Sequence, residues 1–423
     1  MIGTFNMTNY FFETMRQTFL LLMLILPLLC YGQQDTSYKY ERGSLDMMMI
    51  RHPNLSYNNE IEYVFSKMKI PDRFNDHDLG VRVVQFAEDR DQVKNIQSFI
   101  NQVQLGKKLV AKWFDRNKET KGFDMNLVKD RGNYNATSID VKLAKNQTRN
   151  LAIIEDAGEE LIPHTYLVMN DIFYVDKSNK WQVVKDWANI TTRLAETYAG
   201  ASDNTTLQKE NPFESSLSWM YSGLLDNIKG FKVTITSYLF RLKWNDDISQ
   251  QFYNQFYTEY PNVDSSKVRD FNNNKSLFTM EYVGCVKNTS SKTVLYGVKT
   301  NEELITKVCT RALDKNIADL QHQFSDFRIK APLVSVSPLK AYIGMKEDVS
   351  NDSKYEVLEK QTDEKGKQVY KRVGIIKPIK NKIWDNRFMA TEEGSKDASL
   401  NATEFQKISG GDFLPGMLIR EIK

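Results

Sequence analysis

The densest run of groups able to do acid–base or metal chemistry is Glu155, Asp156, Glu159 and Glu160, followed by His164 and Asp171. On a helix, Glu155 and Glu159 would share one face, and Asp156 and Glu160 another, at i, i+4. Carboxylates beside a histidine can hold a divalent ion or move a proton. If the chain is an enzyme, Glu159, Glu160 and His164 are the candidates. Pro163 breaks a helix ahead of His164, so the geometry of a helical zinc motif is lost. Like-charged i, i+4 pairs cost about 0.2–0.5 kcal/mol each, which a wet surface tolerates. An acidic surface leading into a strand therefore explains the run without a metal or catalytic site.

A second polar group, Asp72, Asp76, His77 and Asp78, lies in PDRFNDHDLG. It lacks the alternating ligands and closing Glu of an EF-hand, and reads as a capping loop. His52 and His322 have no carboxylate or cysteine at metal spacing, and His322 reads as solvated. No G-x-S-x-G, G-x-G-x-x-G, P-loop, H-E-x-x-H or C-x-x-C occurs. These absences argue against an enzyme, and no cofactor or metal is expected. Trp244 with the aromatic segment 252–260 could form a carbohydrate platform, but rings four apart on a helix read as core. Tyr342, Tyr355, Tyr370, Trp384 and Phe413 are shared between a small core and a groove.

Residues 15–32 (MRQTFLLLMLILPLLCYG) give the address. A positive start, a short apolar run and small residues before Gln33 make a cleaved secretory signal. Residues 1–32 are thus a signal peptide, with either Met15 the start of translation or Met1–Thr14 a tolerated extension ahead of it. The large Leu29 before Cys30 argues against lipidation of Cys30. Only Cys285 and Cys309 remain in the mature chain, and an exported compartment permits either a disulfide between them or two free thiols.

The chain carries 57 basic and 54 acidic residues, a net charge of +3, which excludes the basic footprint of a nucleic-acid binder. With 41% hydrophobic and 26% charged residues it can bury real cores. No later apolar run reaches the roughly 20 residues of a membrane span, so no transmembrane segment is expected in the mature chain. Lys377, Lys380 and Lys382 read as a solvated strand edge.

These groups must be positioned by alternating helices and strands from about Glu60 to Arg328. The period predicts strands at 47–50, 81–86, 123–128, 165–175 and 231–244, with a hairpin return at 181–184. It predicts helices at 59–67, 91–114, 139–143, 150–157, 213–228, 246–260 and 301–324. Paired strands at 276–283 and 293–298 flank a turn-rich 287–292. The mixed order favours an α+β region over residues 33–330, not a doubly wound nucleotide fold. After Ala331-Pro332 the helical period vanishes. Short strands at 355–358, 370–376, 383–389, 405–408 and 417–422, punctuated by turns, predict a small β-barrel over residues 331–423.

The segments IGMKE at 343–347, KYEVLE at 354–359, YKRVG at 370–374 and GGDF at 410–413 resemble an SH3-like barrel of the kind that ends some exported bacterial envelope and surface-organelle proteins. The whole mature chain, including DAGEELIPHTYLVMND at 156–171, resembles uncharacterised secreted proteins of the Bacteroidota. The resemblance implies export, periplasmic or outer-membrane-associated, and implies no reaction. The expected function is a non-enzymatic binding or assembly module whose partner is an envelope protein or a cell-wall polymer. The alternative is a secreted hydrolase acting on glycan or peptide through scattered carboxylates.

Overall fold

The computed structural model describes residues 42–53, 57–86, 91–135, 157–176, 228–295, 300–328, 330–362, 368–390 and 400–422. The signal segment with Met15 and Cys30, the expected helix at 139–143, all but the last residue of that at 213–228, most of that at 150–157, and the return strand at 181–184 lie outside the described residues, as do Glu155 and Asp156. Residues 40–423 form one compact unit of the α+β class.

A six-stranded mixed sheet organises the first part. β1 (Ser44–Ile50) pairs in parallel with β2 (Asn75–Asp76) and β3 (Val83–Val84) on one side, and with β4 (Thr165–Asp176) on the other. β5 (Ile228–Leu242) and β6 (Met280–Leu295) continue it antiparallel, leaving β6 at the edge. β1 is buried at all seven positions, as expected of a strand covered on both faces.

Strand alternation divides the sheet into two faces. Met47, Met49, Val168, Val233 and Ile235 meet α1 (Asn58–Lys67) and α7 (Asn301–Gln323), through Ile61, Phe65, Leu304 and Val308. Met48, Leu167, Met169 and Phe240 meet α2 (Gln92–Gln102), α3 (Leu105–Trp113), α4 (Asn126–Asn135), α5 (Asp246–Gln251) and α6 (Ser265–Asn273). Trp244, Phe252 and Phe256 belong to this second core, in agreement with their spacing. The 246–260 helix itself is shorter, α5 running into a π turn at Phe252–Phe256.

Several elements differ from expectation for identifiable reasons. The single helix 91–114 is two, broken at Gln104 in the left-handed region (φ 53°). Gly106 then lets the carbonyl of Phe278 come so close that a Cβ would sit 2.5 Å from its oxygen. The pair 276–283 and 293–298 is one strand, β6, whose polar middle turns Lys287 and Thr289 to solvent and Asn288 toward α7. Residues 126–128 open α4 instead of continuing a strand. α7 is capped by Thr300, which forms a reciprocal capping box with Glu303.

The C-terminal part closes into a six-stranded barrel, in the order β10 (Gln368–Pro378), β11 (Thr403–Gly410), β8 (Leu339–Ala341), β7 (Ala331–Val336), β12 (Leu418–Ile422) and β9 (Lys354–Thr362), with every pairing antiparallel. Its core of Leu333, Ala341, Val357, Ile376 and Phe405 is its own. The expected strand at 383–389 is reduced to a bridge from Trp384 to Gly344. The barrel rests on α7 through Lys315–Asp348 (2.9 Å) and His322–Glu421 (2.9 Å), and on residue 73 through Arg73–Glu347 (3.3 Å).

Candidate functional site

From β1 the chain passes to β2 and β3 on one side, then returns as β4 on the other. The carboxyl end of β1 is therefore a switch point, the place where open sheets with parallel strands form a crevice. His52 stands just beyond that end, and Asp171 faces Ile50 across the ladder. His52 Nε2 donates to Asp171 Oδ1 at 2.6 Å, and Gln92, the first residue of α2, donates to Oδ2 at 3.3 Å. Both side chains of the His52–Asp171 pair are over nine-tenths buried. The Phe173 ring lies 4.7 Å from the imidazole.

Beyond this clamp, the face of the sheet that holds Asp171 opens to solvent. Phe173 is 42% exposed and Tyr282 39%. Between them Thr234 and Thr289 touch hydroxyl to hydroxyl at 3.0 Å, and Thr236 and Tyr238 are half-buried. Burial first, then the Asp171 carboxylate and Cys285, push the Tyr238 phenol up to about 12, so it stays a neutral donor. Burial and a hydrogen bond with Cys285 also raise Tyr282.

The candidates expected from sequence are distributed differently. Glu159 and Glu160 are half-buried, and Glu159 Oε1 accepts from Tyr253 Oη at 2.5 Å. Glu159 is thereby tied to the π turn, not splayed into water as an acidic surface would be. His164 closes a 3-10 turn at the start of β4, seven strand positions from Asp171, or roughly 23 Å along the strand. The structure thus separates His164 from Asp171 and gives Asp171 to His52. Cys285 is exposed on the open face, while Cys309 is buried in the core under the opposite face. Both are free thiols, so the bridge that the sequence allowed is not formed. His322 is not solvated: it is bonded to Glu421, which holds its pKa above the ordinary histidine value.

The 72–78 loop caps itself, Asp76 accepting from the Asp78 amide (2.9 Å) and Asp78 from that of Gly80 (2.8 Å). His77 is part of a buried network. Arg131 donates to Ser44 Oγ (2.6 Å) and His77 Nδ1 (3.0 Å), and lies 4.2 Å from the Trp113 ring. His77 Nε2 donates to the Leu109 carbonyl (3.2 Å). Burial and the neighbouring guanidinium lower His77 to about 3, so it is neutral, while burial lowers Arg131 only to about 10, so it is charged. Asp46 is fully buried, and neither carboxylate oxygen has a well-formed hydrogen bond. Burial, then Asp78, raise it to about 7 against the pull of Arg82. Among the described residues no three His, Cys, Asp or Glu side chains are grouped to hold a metal ion.

Sequence reasoning missed the His52–Asp171 pair because 119 residues separate its members. The only available signal was a histidine two residues past an apolar strand. No protein-family model matches the chain, and neither does any curated protein. Fold and site therefore define it as a mixed α/β sheet body carrying a closed six-stranded barrel, with a polar clamp at the switch point of the sheet.

Proposed function

We propose that the mature chain is an exported cell-envelope protein, periplasmic or outer-membrane-associated, that acts as a non-enzymatic binding or assembly module. The observation that carries this reading is the open half of the β4–β5–β6 face, where exposed rings are backed by a buried polar clamp. Its described acid is engaged in structure: Asp171 accepts from His52 and Gln92. A rigid flat surface with its acid already engaged suits recognition better than proton transfer.

The barrel supports the same reading. Its six strands close on themselves, its segments at 343–347, 354–359, 370–374 and 410–413 resemble those of an SH3-like module, and Tyr342 remains 57% exposed beside the body. No helix among the described residues is long and apolar enough to cross a membrane.

Fractionation of an exporting bacterial host tests this. The full chain should recover in the envelope fraction with a mature N-terminus at or near Gln33. Recovery of uncleaved protein in the cytosol would overturn the reading, and a lipid-modified Cys30 at the N-terminus would convert it to an anchored form.

A further inference from the structure

We propose that the open half of the β4–β5–β6 face binds a carboxylate-bearing glycan strand of the cell wall, its rings stacking on sugar faces and its lysines meeting the carboxylates. This rests on the binding-module reading and names the partner of that surface.

The rings are spread along a track. Phe173 is in register with Thr234 and Tyr282 with Phe240, six positions along β5 and two strands across. Six positions are roughly 20 Å, which suits an extended chain of sugars and exceeds a single one. Each outer ring is held from below: Phe173 lies 4.7 Å from His52, and Tyr282 lies 5.4 Å from Phe240. Rings already fixed lose little freedom on binding, and flat apolar faces are what pyranose rings present. Between them the hydroxyls of Thr234, Thr289 and Tyr238 can exchange hydrogen bonds with a polyol.

Charge narrows the partner. Lys232 and Lys287 project from the same face by strand alternation. Neither has an ion-pair partner among the described residues. Among the described residues the one acid there, Asp171, is buried and engaged. Two cations are too few for a polyphosphate chain, whose binding scales with the number of phosphates neutralised. They do suit a glycan with occasional carboxylates.

Co-sedimentation of the full mature chain with purified insoluble peptidoglycan is the test, with soluble chitohexaose as the uncharged probe. Phe173→Ala with Tyr282→Ala should lower affinity for peptidoglycan at least tenfold with an unchanged melting temperature, and Tyr282→Trp should retain binding. Lys232→Gln with Lys287→Gln should weaken peptidoglycan binding several-fold, leave chitohexaose binding unchanged, and flatten the salt dependence. Tyr63→Ala, which removes an exposed ring outside this face, should bind normally. If the natural chain fails to sediment with peptidoglycan, or the ring variants sediment equally well, the proposal is wrong. Envelope recovery of the natural chain without peptidoglycan binding would overturn this inference alone. Cytosolic recovery of an uncleaved chain would overturn the underlying reading as well.

Discussion

His52 Nε2 and Asp171 Oδ1 meet at 2.6 Å across 119 residues of sequence, tying the end of β1 to β4. Gln92 extends the tie to the start of α2. Removing one partner leaves a buried polar group unsatisfied, which costs more than the bond itself contributes. Asp171→Ala should therefore lose about 2–3 kcal/mol of stability. Gln92→Ala, at the longer contact and half-buried, should lose about 0.5–1.5 kcal/mol. Urea unfolding reads both, and an unchanged midpoint for Asp171→Ala would mean that the pair does not hold the crevice.

Two buried groups give opposite pH dependences. Asp46, raised to about 7, binds more protons folded than unfolded. Its contribution is complete below pH ~4 and is lost as pH rises to about 7. Asp46→Asn should thus stabilise the protein at pH 8, on the order of a few kcal/mol, and make little difference near pH 4. His77, lowered to about 3, binds fewer protons folded than unfolded. Its contribution is complete above pH ~6.5 and is lost as pH falls toward 3. His77→Gln should flatten the acid limb of the stability curve. Denaturant midpoints from pH 3 to 8 separate the two, and a natural curve unaltered by either change would contradict both assignments.

Gly106 lies inside α3, where alanine would ordinarily gain about 1 kcal/mol in helix propensity. Here the new Cβ would sit 2.5 Å from the Phe278 carbonyl oxygen, against backbone that cannot rotate away. Overpacking of that kind costs about 1–3 kcal/mol. Gly106→Ala should therefore destabilise, as measured by thermal unfolding. A rise in melting temperature would show that α3 and the chain at Phe278 can separate freely.

The barrel reports its docking through His322. The hydrogen bond that His322 Nε2 donates to the Glu421 carboxylate holds that imidazole above its ordinary pKa, so the contact is strongest at low pH and weakens as pH rises through the histidine's own titration. Glu421→Gln should lower the His322 pKa, as followed by NMR. An unchanged titration would mean that β12 does not rest on α7 in solution.

Much of the sheet body was legible because its periods are clean. β1, β4, β5, α1 and α7 fall within a few residues of where apolar spacing puts them. β6 was unreadable as one strand because its middle is polar on both faces: Lys287 and Thr289 turn to solvent, while Asn288 donates to Asn316 and Asp319 on α7. The break between α2 and α3 depends on Gln104 taking a left-handed backbone, which its side chain does not announce. In the barrel, β8 is three residues long, too short for alternation to register. The candidate site was the least legible part. Its members come from β1, β4, β5, β6 and α2, and are joined by sheet register, which local sequence does not encode.

The central claim is that this chain binds at the envelope and does not cleave what it binds. The most direct measurement is incubation of the mature protein with purified peptidoglycan and an envelope protein extract, with mass spectrometry of the soluble fraction. The account predicts that the protein sediments with the envelope material and that no glycan or peptide fragments are released. Release of fragments that is abolished by Glu159→Gln with Glu160→Gln would contradict it and restore these carboxylates as an active site.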